Sequence, residues 1–182
     1  MKMLVQRTAG DAALPFILDD LKQHLRVFDD AEDTAVQNIG LTAAAEIEQF
    51  AQIALLIQTI RVTIFDPCRE SGLRLPIGPV ADDDTPTVTI DGAAFTGFEF
   101  VGGNRPYVRW LASYHDLTPS RMTIEYQAGF GDAAEDVPSD LAQALMDQAA
   151  LHYDGRSPMD AKSLTTSPHM ARIGARYRGV QA

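Results

Sequence analysis

The sequence predicts an α+β fold: a small helical bundle of three main helices, an inserted small antiparallel β unit, and an extended C-terminal tail. Three observations lead to this prediction. In three stretches the apolar residues recur at steps of three and four, which is the spacing of one helix face. Between the second and third stretch the period falls to two, which indicates strands. Beyond residue 155 large apolar residues become scarce and the sign of the charge reverses.

The first two helices are predicted over about residues 15–28 and 31–54. Pro15 suits the first turn of a helix, where its missing N–H costs nothing. The acidic stretch 29–33 supplies cap residues for the second helix. The first apolar stripe is formed by Leu18, Leu21, Leu25 and Phe28. The second is formed by Val36, Ile39, Ala43, Ile47, Phe50 and Ala54.

The β unit is predicted over about residues 58–127. Ile60, Val62 and Ile64 alternate with residues that point the other way, as in a half-buried strand. Asp91-Gly92 is a pair typical of tight turns, so the runs on either side of it are predicted to form a hairpin. The remaining strands are predicted at 73–75, 87–90, 95–101, 107–111 and 121–127.

A third helix is predicted over about residues 138–153, with Gly155 placed to end it. Its buried side is predicted to carry Leu141, Ala144, Leu145, Gln148, Ala149 and His152. We therefore divide the chain into a body, residues 1–155, and a basic tail, residues 156–182. Because the tail has few large apolar residues, we expect it not to pack on the body by itself but to become ordered on assembly.

The charge is distributed unevenly between body and tail. The whole chain has a net charge of -10, and the body holds 24 acidic against 10 basic residues, a net charge of -14. The tail holds one acidic residue and five cations, a net charge of +4. Phosphate binding depends on lysine and arginine, so the composition argues against a nucleic-acid surface over most of the body. Five cations on an acidic protein would give weak general DNA binding at best.

The tail is the most promising binding segment. Arg172, Ile173, Arg176 and Tyr177 fall at helical spacings, so this part could form a short amphipathic helix on a partner. A flexible, solubilising end is the alternative that the composition leaves open. The candidate binding residues are Lys162, Arg172, Ile173, Arg176, Tyr177 and Arg178.

No assembled catalytic or metal site is visible in the sequence. Asp82-Asp83-Asp84 lacks the alternate spacing of a calcium loop and fits a solvated turn better. The four histidines are scattered, and no nucleophile elbow or phosphate-binding loop occurs. We therefore predict a protein that is not an enzyme and needs no cofactor or metal. A small enzyme that pairs Cys68 with His115 or His152 stays open as an alternative, as does a generic binding module.

Other features point to a protein of a reducing compartment. Cys68 is the single cysteine, so it has no partner for an internal disulfide. The first residues lack the apolar core of a secretory leader, and no apolar run approaches the length of a membrane span. We expect a protein made in the cytoplasm without a membrane partner.

The order of segments along the body resembles that of a known family. The matching segments are residues 24–27 at the end of the first helix, 29–33 before the helix with 43–48, 58–59, 75–76 with 79–80, and 126–131 before Val137-Pro138. In this order they resemble the head-tail connector (adaptor) proteins of long-tailed phages and phage-like gene transfer agents. The resemblance covers about residues 14–155.

The resemblance implies a structural role at the head–tail interface of a virion or gene transfer agent particle. It implies a homo-oligomeric ring, commonly a dodecamer, that binds the portal protein and a tail-side stopper or terminator protein. Double-stranded DNA would pass through the ring without specific binding, and assembly would take place in the bacterial cytoplasm. The candidate residues of the tail would then contact the portal or a neighbouring subunit.

Overall fold

The computed structural model describes residues 2–10, 13–156 and 166–178, which contain five α-helices and eight β-strands. The chain divides into two compact units. The sheet unit consists of Met1–Asp11 and Ile57–Phe130, and the helical unit consists of Ala12–Leu56 and Gly131–Ala182. The mixed α+β class is as predicted. A fourth helix in the helical unit, Pro168–Arg178, goes beyond the three main helices that the sequence predicted.

The sheet unit is built from two antiparallel sheets. The five-stranded sheet has the order β1-β2-β8-β4-β5, and the three-stranded sheet has the order β3-β7-β6. The strands are β1 (Lys2–Ala9), β2 (Gln58–Phe65), β3 (Gly72–Arg74), β4 (Thr87–Ile90), β5 (Ala93–Phe95), β6 (Phe98–Val101), β7 (Tyr107–Trp110) and β8 (Arg121–Ala128). A short helix, α3 (Ala112–His115), follows β7.

The centre of the larger sheet is formed by β2 and β8. Ile60, Val62 and Ile64 are buried, as the alternation predicts, and they pair directly with buried residues of β8. On the opposite face Arg61 and Glu125 form an ion pair with a nitrogen–oxygen distance of 2.8 Å. The two faces therefore differ as in an antiparallel sheet with one side in water.

Strand β1 was not among the strands predicted from the sequence, which begin at residue 58. It pairs with β2 along its whole length, from Lys2 opposite Phe65 to Ala9 opposite Gln58. Most of its side chains from Lys2 to Thr8 are exposed on both faces. A strand without a buried face has no alternation of apolar and polar residues, so the sequence gives no periodic signal.

The predicted hairpin is correct at its turn and wrong in its second strand. Asp91 and Gly92 both have positive φ, 49° and 91°, as a two-residue hairpin turn requires. The turn connects β4 to β5, whereas Phe98–Val101 belongs to the three-stranded sheet. Hydrogen bonds from Ser120 and from the backbone N–H of Arg121 stabilise the Asp91 carboxylate and hold its pKa below the usual range.

Four aromatic residues form a cluster in the sheet unit. Trp110 stacks on Tyr114 with ring centroids 4.7 Å apart. Phe98 meets the Trp110 ring edge-on at 6.3 Å, and Phe95 meets Tyr114 at 6.2 Å. Such pairs add about 0.5–1.5 kcal/mol beyond the burial of their surface. The cluster therefore links β5, β6, β7 and α3.

The helical unit contains α1 (Leu18–Leu25), α2 (Asp33–Ala51), α4 (Ser139–Asp154) and α5 (Pro168–Arg178). A short 3-10 turn, Asp30–Glu32, precedes α2, and a second one, Ala134–Asp136, precedes α4. The predicted stripes of α2 and α4 are confirmed in part, by the burial of Val36, Ala43, Ile47, Leu141, Ala144, Leu145, Gln148 and Ala149. Ile39, Phe50 and His152 are half-buried, and Ala54 is buried beyond the end of α2. None of the helices in the described residues is long and apolar enough to span a membrane.

The first two helices are shorter than predicted. Arg26 and Gln52 adopt left-handed backbone conformations, with φ of 58° and 56°, and so end α1 and α2. Phe28, predicted in the first stripe, lies beyond this end and is 86% exposed. A helix end in the left-handed conformation is normally occupied by glycine or asparagine. Because arginine and glutamine occupy these two positions, the sequence did not indicate that the helices end there.

Lys22 is buried beside two carboxylates. Its ammonium nitrogen lies 2.6 Å from a carboxylate oxygen of Asp30 and 2.6 Å from one of Asp33. These hydrogen bonds raise the pKa of Lys22 well above its usual value and lower that of Asp30. The lysine thus joins α1 to the start of α2.

Gly40 allows α2 to pack closely on α1. A Cβ atom at this position would overlap the ring of Phe16 and lie 2.8 Å from a methyl carbon of Leu21. We expect Gly40→Ala to lower the free energy of unfolding by about 1–2 kcal/mol, because overpacking outweighs the gain in helix propensity. Urea denaturation followed by far-ultraviolet circular dichroism measures the change.

Two further variants make this test specific. Thr42→Ala, at an exposed position of the same helix, is expected to leave stability nearly unchanged. Phe16→Leu shortens the side chain that a new methyl group would meet, so it should recover part of the loss when combined with Gly40→Ala. Equal stability of Gly40→Ala and the natural chain would contradict the expected overlap.

Candidate functional site

Helix α5 begins at a hydrogen-bonded cap. The Ser167 hydroxyl oxygen accepts a hydrogen bond from the Met170 backbone N–H at 2.9 Å, as an N-cap residue does. The Ser167 N–H donates to the side-chain oxygen of Gln148 at 2.7 Å. Because Gln148 is buried on α4, these bonds fix the start of α5 against that helix.

The inner side of α5 is narrow and apolar. Met170 and Ile173 are 3% and 1% exposed. Gly174 lies against Phe50 of α2, where a Cβ atom would be 2.5 Å from a ring carbon. These contacts bury one face of α5 within the helical unit of a single chain.

Asp140 holds the last turn of α5. It accepts hydrogen bonds from Arg176 and from the Tyr177 hydroxyl, each at 3.0 Å. Burial and the neighbouring Asp140 carboxylate raise the pKa of Tyr177. Arg178 lies near Phe50, with 6.0 Å between its guanidinium carbon and the ring centroid.

Two further carboxylates connect the helices through histidines. Asp147 lies 2.7 Å from a ring nitrogen of His169 and 3.3 Å from one of His24. Glu46 lies 2.9 Å from a ring nitrogen of His152, and it accepts a hydrogen bond from the Gln148 amide at 2.7 Å. Glu46 and His152 line an open groove together with Gln49, Phe50, Gln148, Thr166 and Met170.

The structure distributes the predicted binding residues over two sides of α5. Arg172, Arg176 and Arg178 are exposed. Ile173 faces inward, and Tyr177 is half-buried against Asp140, so these two side chains serve first to hold the helix. Lys162 lies outside the described residues.

The expectation that the tail does not pack on the body by itself is wrong for Pro168–Arg178. A stripe of two apolar side chains and one glycine suffices because α2 and α4 supply the remaining surface. The sequence analysis also missed Ser167, Gln148 and Asp140 as anchors. Ser167 followed by Pro168 is a recognisable helix start, and this signal could have revealed α5.

The described part of the sheet unit shows no catalytic pair of Cys68 and His115. Cys68 is an exposed free thiol, and no hydrogen bond between it and His115 is found there. His152 is engaged by Glu46. Across residues 2–10, 13–156 and 166–178, no group of three or more His, Cys, Asp or Glu side chains is placed to hold a metal ion.

Glu32 is expected to make stability sensitive to acid. Hydrogen bonds from the Tyr153 hydroxyl and Arg156 hold the pKa of Glu32 below its ordinary value of 4.5. A depressed carboxyl pKa stabilises the fold above the unfolded-state pKa, and this contribution is lost as the pH falls through the folded-state value. We expect the free energy of unfolding to fall below about pH 4.5.

The Glu32→Gln variant isolates this contribution. In urea denaturation at a series of pH values, the free energy of unfolding of this variant should fall less steeply with acid than that of the natural chain. Glu135→Gln removes an exposed carboxylate of the same unit and serves as the matched control. Identical slopes for the natural chain and Glu32→Gln would contradict the assignment.

No protein-family model matches this chain, and no curated protein matches it.

Comparison with solved structures finds similar chains in gene transfer agent (GTA) particles. One, from the virion of a native GTA particle, has a TM-score of 0.79 at 26% identity, covering 98% of this chain and 97% of that chain. Another, from the neck of an empty GTA particle computed with C6 symmetry, has a TM-score of 0.76 at 27% identity with the same coverage. A third, from the neck of a native GTA particle computed with C12 symmetry, has a TM-score of 0.73 at 25% identity, again covering 98% and 97%.

These similarities support a structural protein of a GTA or phage particle with a role in the neck. They extend over both units of the chain, because almost the whole length of each chain is matched. The symmetry used for the necks suggests an assembly of several copies. The structural similarity therefore agrees with the sequence resemblance at the level of a structural protein of a GTA or phage particle.

Proposed function

We propose that this chain is a head–tail connector, or adaptor, that joins the DNA-filled head of a phage-like particle to its tail. The observation that carries the proposal is the end-to-end similarity to chains of GTA virions and necks. A shared single motif would leave the rest of the molecule unexplained, whereas here nearly all residues have a structural counterpart. The protein would act by binding and positioning other proteins, without chemistry of its own.

The connector would form a ring around the DNA channel. The C12 symmetry of one similar neck supports twelve copies. A closed ring needs an interface in which one surface of a subunit meets a different surface of the next. In this proposal residues 1–155 form the body of the ring, which is assembled in the bacterial cytoplasm and bridges the portal to a tail-side stopper or terminator protein.

The outer side of α5 is the proposed portal-binding surface. Its apolar side is used within the chain, which leaves Arg172, Arg176 and Arg178 exposed along one short helix. Lys162 is a further candidate contact from the basic tail. Portal contacts would then be charge-assisted hydrogen bonds to acidic groups, since arginine binds carboxylates in a fixed geometry.

The acidic charge of the body fits a channel wall along which DNA moves without binding. Residues 1–155 carry 24 acidic and 10 basic residues. A negative surface repels the phosphate backbone, so it would keep double-stranded DNA from sticking during packaging and ejection.

Charge reversal on α5 tests the portal-binding proposal. We expect the double variant Arg172→Glu/Arg178→Glu to fold normally and to lose portal association at least tenfold, as measured by co-purification with the portal and by occupancy of the neck in purified particles. Arg105→Glu, an exposed cation in the sheet unit, is the control. Undiminished portal association of the double variant would contradict this role of α5.

Imaging tests the connector proposal as a whole. Electron cryomicroscopy of particles carrying the tagged chain should show a ring of density between portal and tail. Particles whose neck lacks the tagged chain would overturn the proposal, whatever the result for α5.

A further inference from the structure

Strand β1 has an unusual environment for a strand of eight residues. It lies at one end of the five-stranded sheet, and among the described strands it is paired with β2 alone. Leu4 is 50% exposed and Val5 is 41% exposed. A long edge strand with exposed apolar side chains has open backbone groups that invite pairing with another chain.

The core of the sheet unit stops before it reaches β1. Residues directly opposite each other in an antiparallel pair lie on the same face of the sheet. Val5 is opposite Val62, which is fully buried, so both point to the core face. Val5 therefore extends the apolar face of the sheet to its edge strand. The described residues of the sheet unit leave its side chain partly exposed there.

At the other end of the same sheet lies an apolar groove next to an acidic loop. Residues of β4, β5 and β6 line it, including Val88, Ala94, Phe95, Phe98 and Phe100, with Asp82 at its rim. The three phenylalanines are half-buried. Strands β5 and β6 each end their sheet, so the groove offers apolar surface next to strands at sheet edges.

The two surfaces have complementary charge. Residues 2–10 contain two cations, Lys2 and Arg7, and no acidic residue. The loop beside the groove contains Asp82, Asp83 and Asp84. A basic strand and an apolar groove bordered by an acidic loop therefore lie at opposite ends of one sheet, and their charges are complementary.

We propose that β1 of one copy docks into the β4–β6 groove of a second copy, with Val5 against the phenylalanines and Lys2, at the start of the strand, towards the aspartates. The contact is a strand addition to the β5 end of the sheet, in which backbone hydrogen bonds join two chains. It unites two different surfaces, so repetition of it generates a ring when the rotation closes. The inference rests on the proposed ring and names its subunit interface.

A second copy explains these features better than an unrelated peptide. Both halves of the contact are present on every chain, at the two ends of one sheet, and the similar necks were computed with C6 and C12 symmetry. Two copies of β1 pairing with each other would place four cations on one strand pair without a balancing acid from either strand. The groove would then stay empty.

Thiol crosslinking in assembled particles tests the interface. In a Cys68→Ser background, which removes the single natural thiol, Val5→Cys and Ala94→Cys are introduced together and treated with a short bifunctional thiol crosslinker. We expect a ladder of multimers on a denaturing gel. The matched control combines Val5→Cys with Glu70→Cys and should give monomers. Glu70 is exposed and lies next to β3, the edge strand of the three-stranded sheet that is farthest from β6.

The outcomes separate this inference from the proposed function. A ring in the neck by cryomicroscopy with no Val5–Ala94 multimers overturns the interface and leaves the connector intact. Crosslinking through Val5→Cys alone would mean β1–β1 pairing and also overturns the interface. Absence of the chain from the neck overturns the connector itself. Multimers that need both cysteines support the proposal.

A charge exchange provides a second measurement that does not depend on a crosslinker. Lys2→Glu and Asp82→Lys should each reduce ring occupancy several-fold, and the two changes combined in one chain should restore it partly. Thermal melting of each purified variant shows that the changes act on assembly and leave the subunit folded. Failure of the combined variant to exceed either single variant would count against the assigned pairing.

Discussion

Replacement of Ile173 by aspartate is expected to release α5 from the helical unit. The side chain is 1% exposed, so the variant would bury a carboxylate among apolar groups of α2 and α4. We expect the free energy of unfolding to fall by about 3 kcal/mol or more, because both the apolar contact and the solvation of the charge are lost. Urea denaturation and limited proteolysis near α5 measure the effect.

The neighbouring position supplies the control. Arg172→Asp introduces the same residue one position earlier, at an exposed site, and should change stability by less than about 0.5 kcal/mol. Under the proposed function, both variants weaken portal association, the first through displacement of α5 and the second through charge. Equal stability of the two variants would show that α5 does not pack as described.

Replacement of Trp110 by alanine is the second large effect that we expect. Trp110 is 5% exposed and contacts Tyr114, Phe98 and Phe95. Its loss should lower the free energy of unfolding of the sheet unit by about 3–5 kcal/mol, because a large cavity is left among the aromatic rings. Near-ultraviolet circular dichroism of the tyrosines and urea denaturation report the change.

Two variants test whether the cluster is responsible. Trp110→Phe keeps a ring in place and should lose less than half as much stability. Tyr107→Ala lies in the same strand but is 36% exposed, and it should be much milder. If Trp110→Ala lost no more stability than Tyr107→Ala, the aromatic cluster would not stabilise the sheet unit as described. The groove contains Phe95 and Phe98, so Trp110→Ala should also weaken the proposed subunit contact.

The elements with a strong internal pattern were predictable from the sequence. In α4 the apolar spacing identified the buried side, and in β2 the alternation identified Ile60, Val62 and Ile64. In both cases each residue's environment follows from its own segment, because one continuous face is buried. The Asp91-Gly92 turn was predictable for a similar reason, since its backbone needs residues that tolerate positive φ.

The missed features depend on residues that are distant in sequence. Strand β1 exists through its pairing with β2, more than fifty residues later, and its own side chains have no common buried face. Helix α5 packs with only two large apolar side chains because Gln148 and Asp140 on α4 bind its two ends. The cations of α5 could be identified from the sequence by their charge. The inward position of Ile173 could be recognised only once the helix was seen packed against α2 and α4.

The division into two units has a consequence for synthesis of the chain. The helical unit is made of residues before and after the longer segment of the sheet unit, Ile57–Phe130, so α1 and α2 leave the ribosome well before α4 and α5. During that interval the part of α2 that packs on α4 and α5 lacks those two helices. Contacts over such long stretches of sequence slow folding. A chaperone that shields α2 during translation would therefore raise the yield of subunits able to assemble.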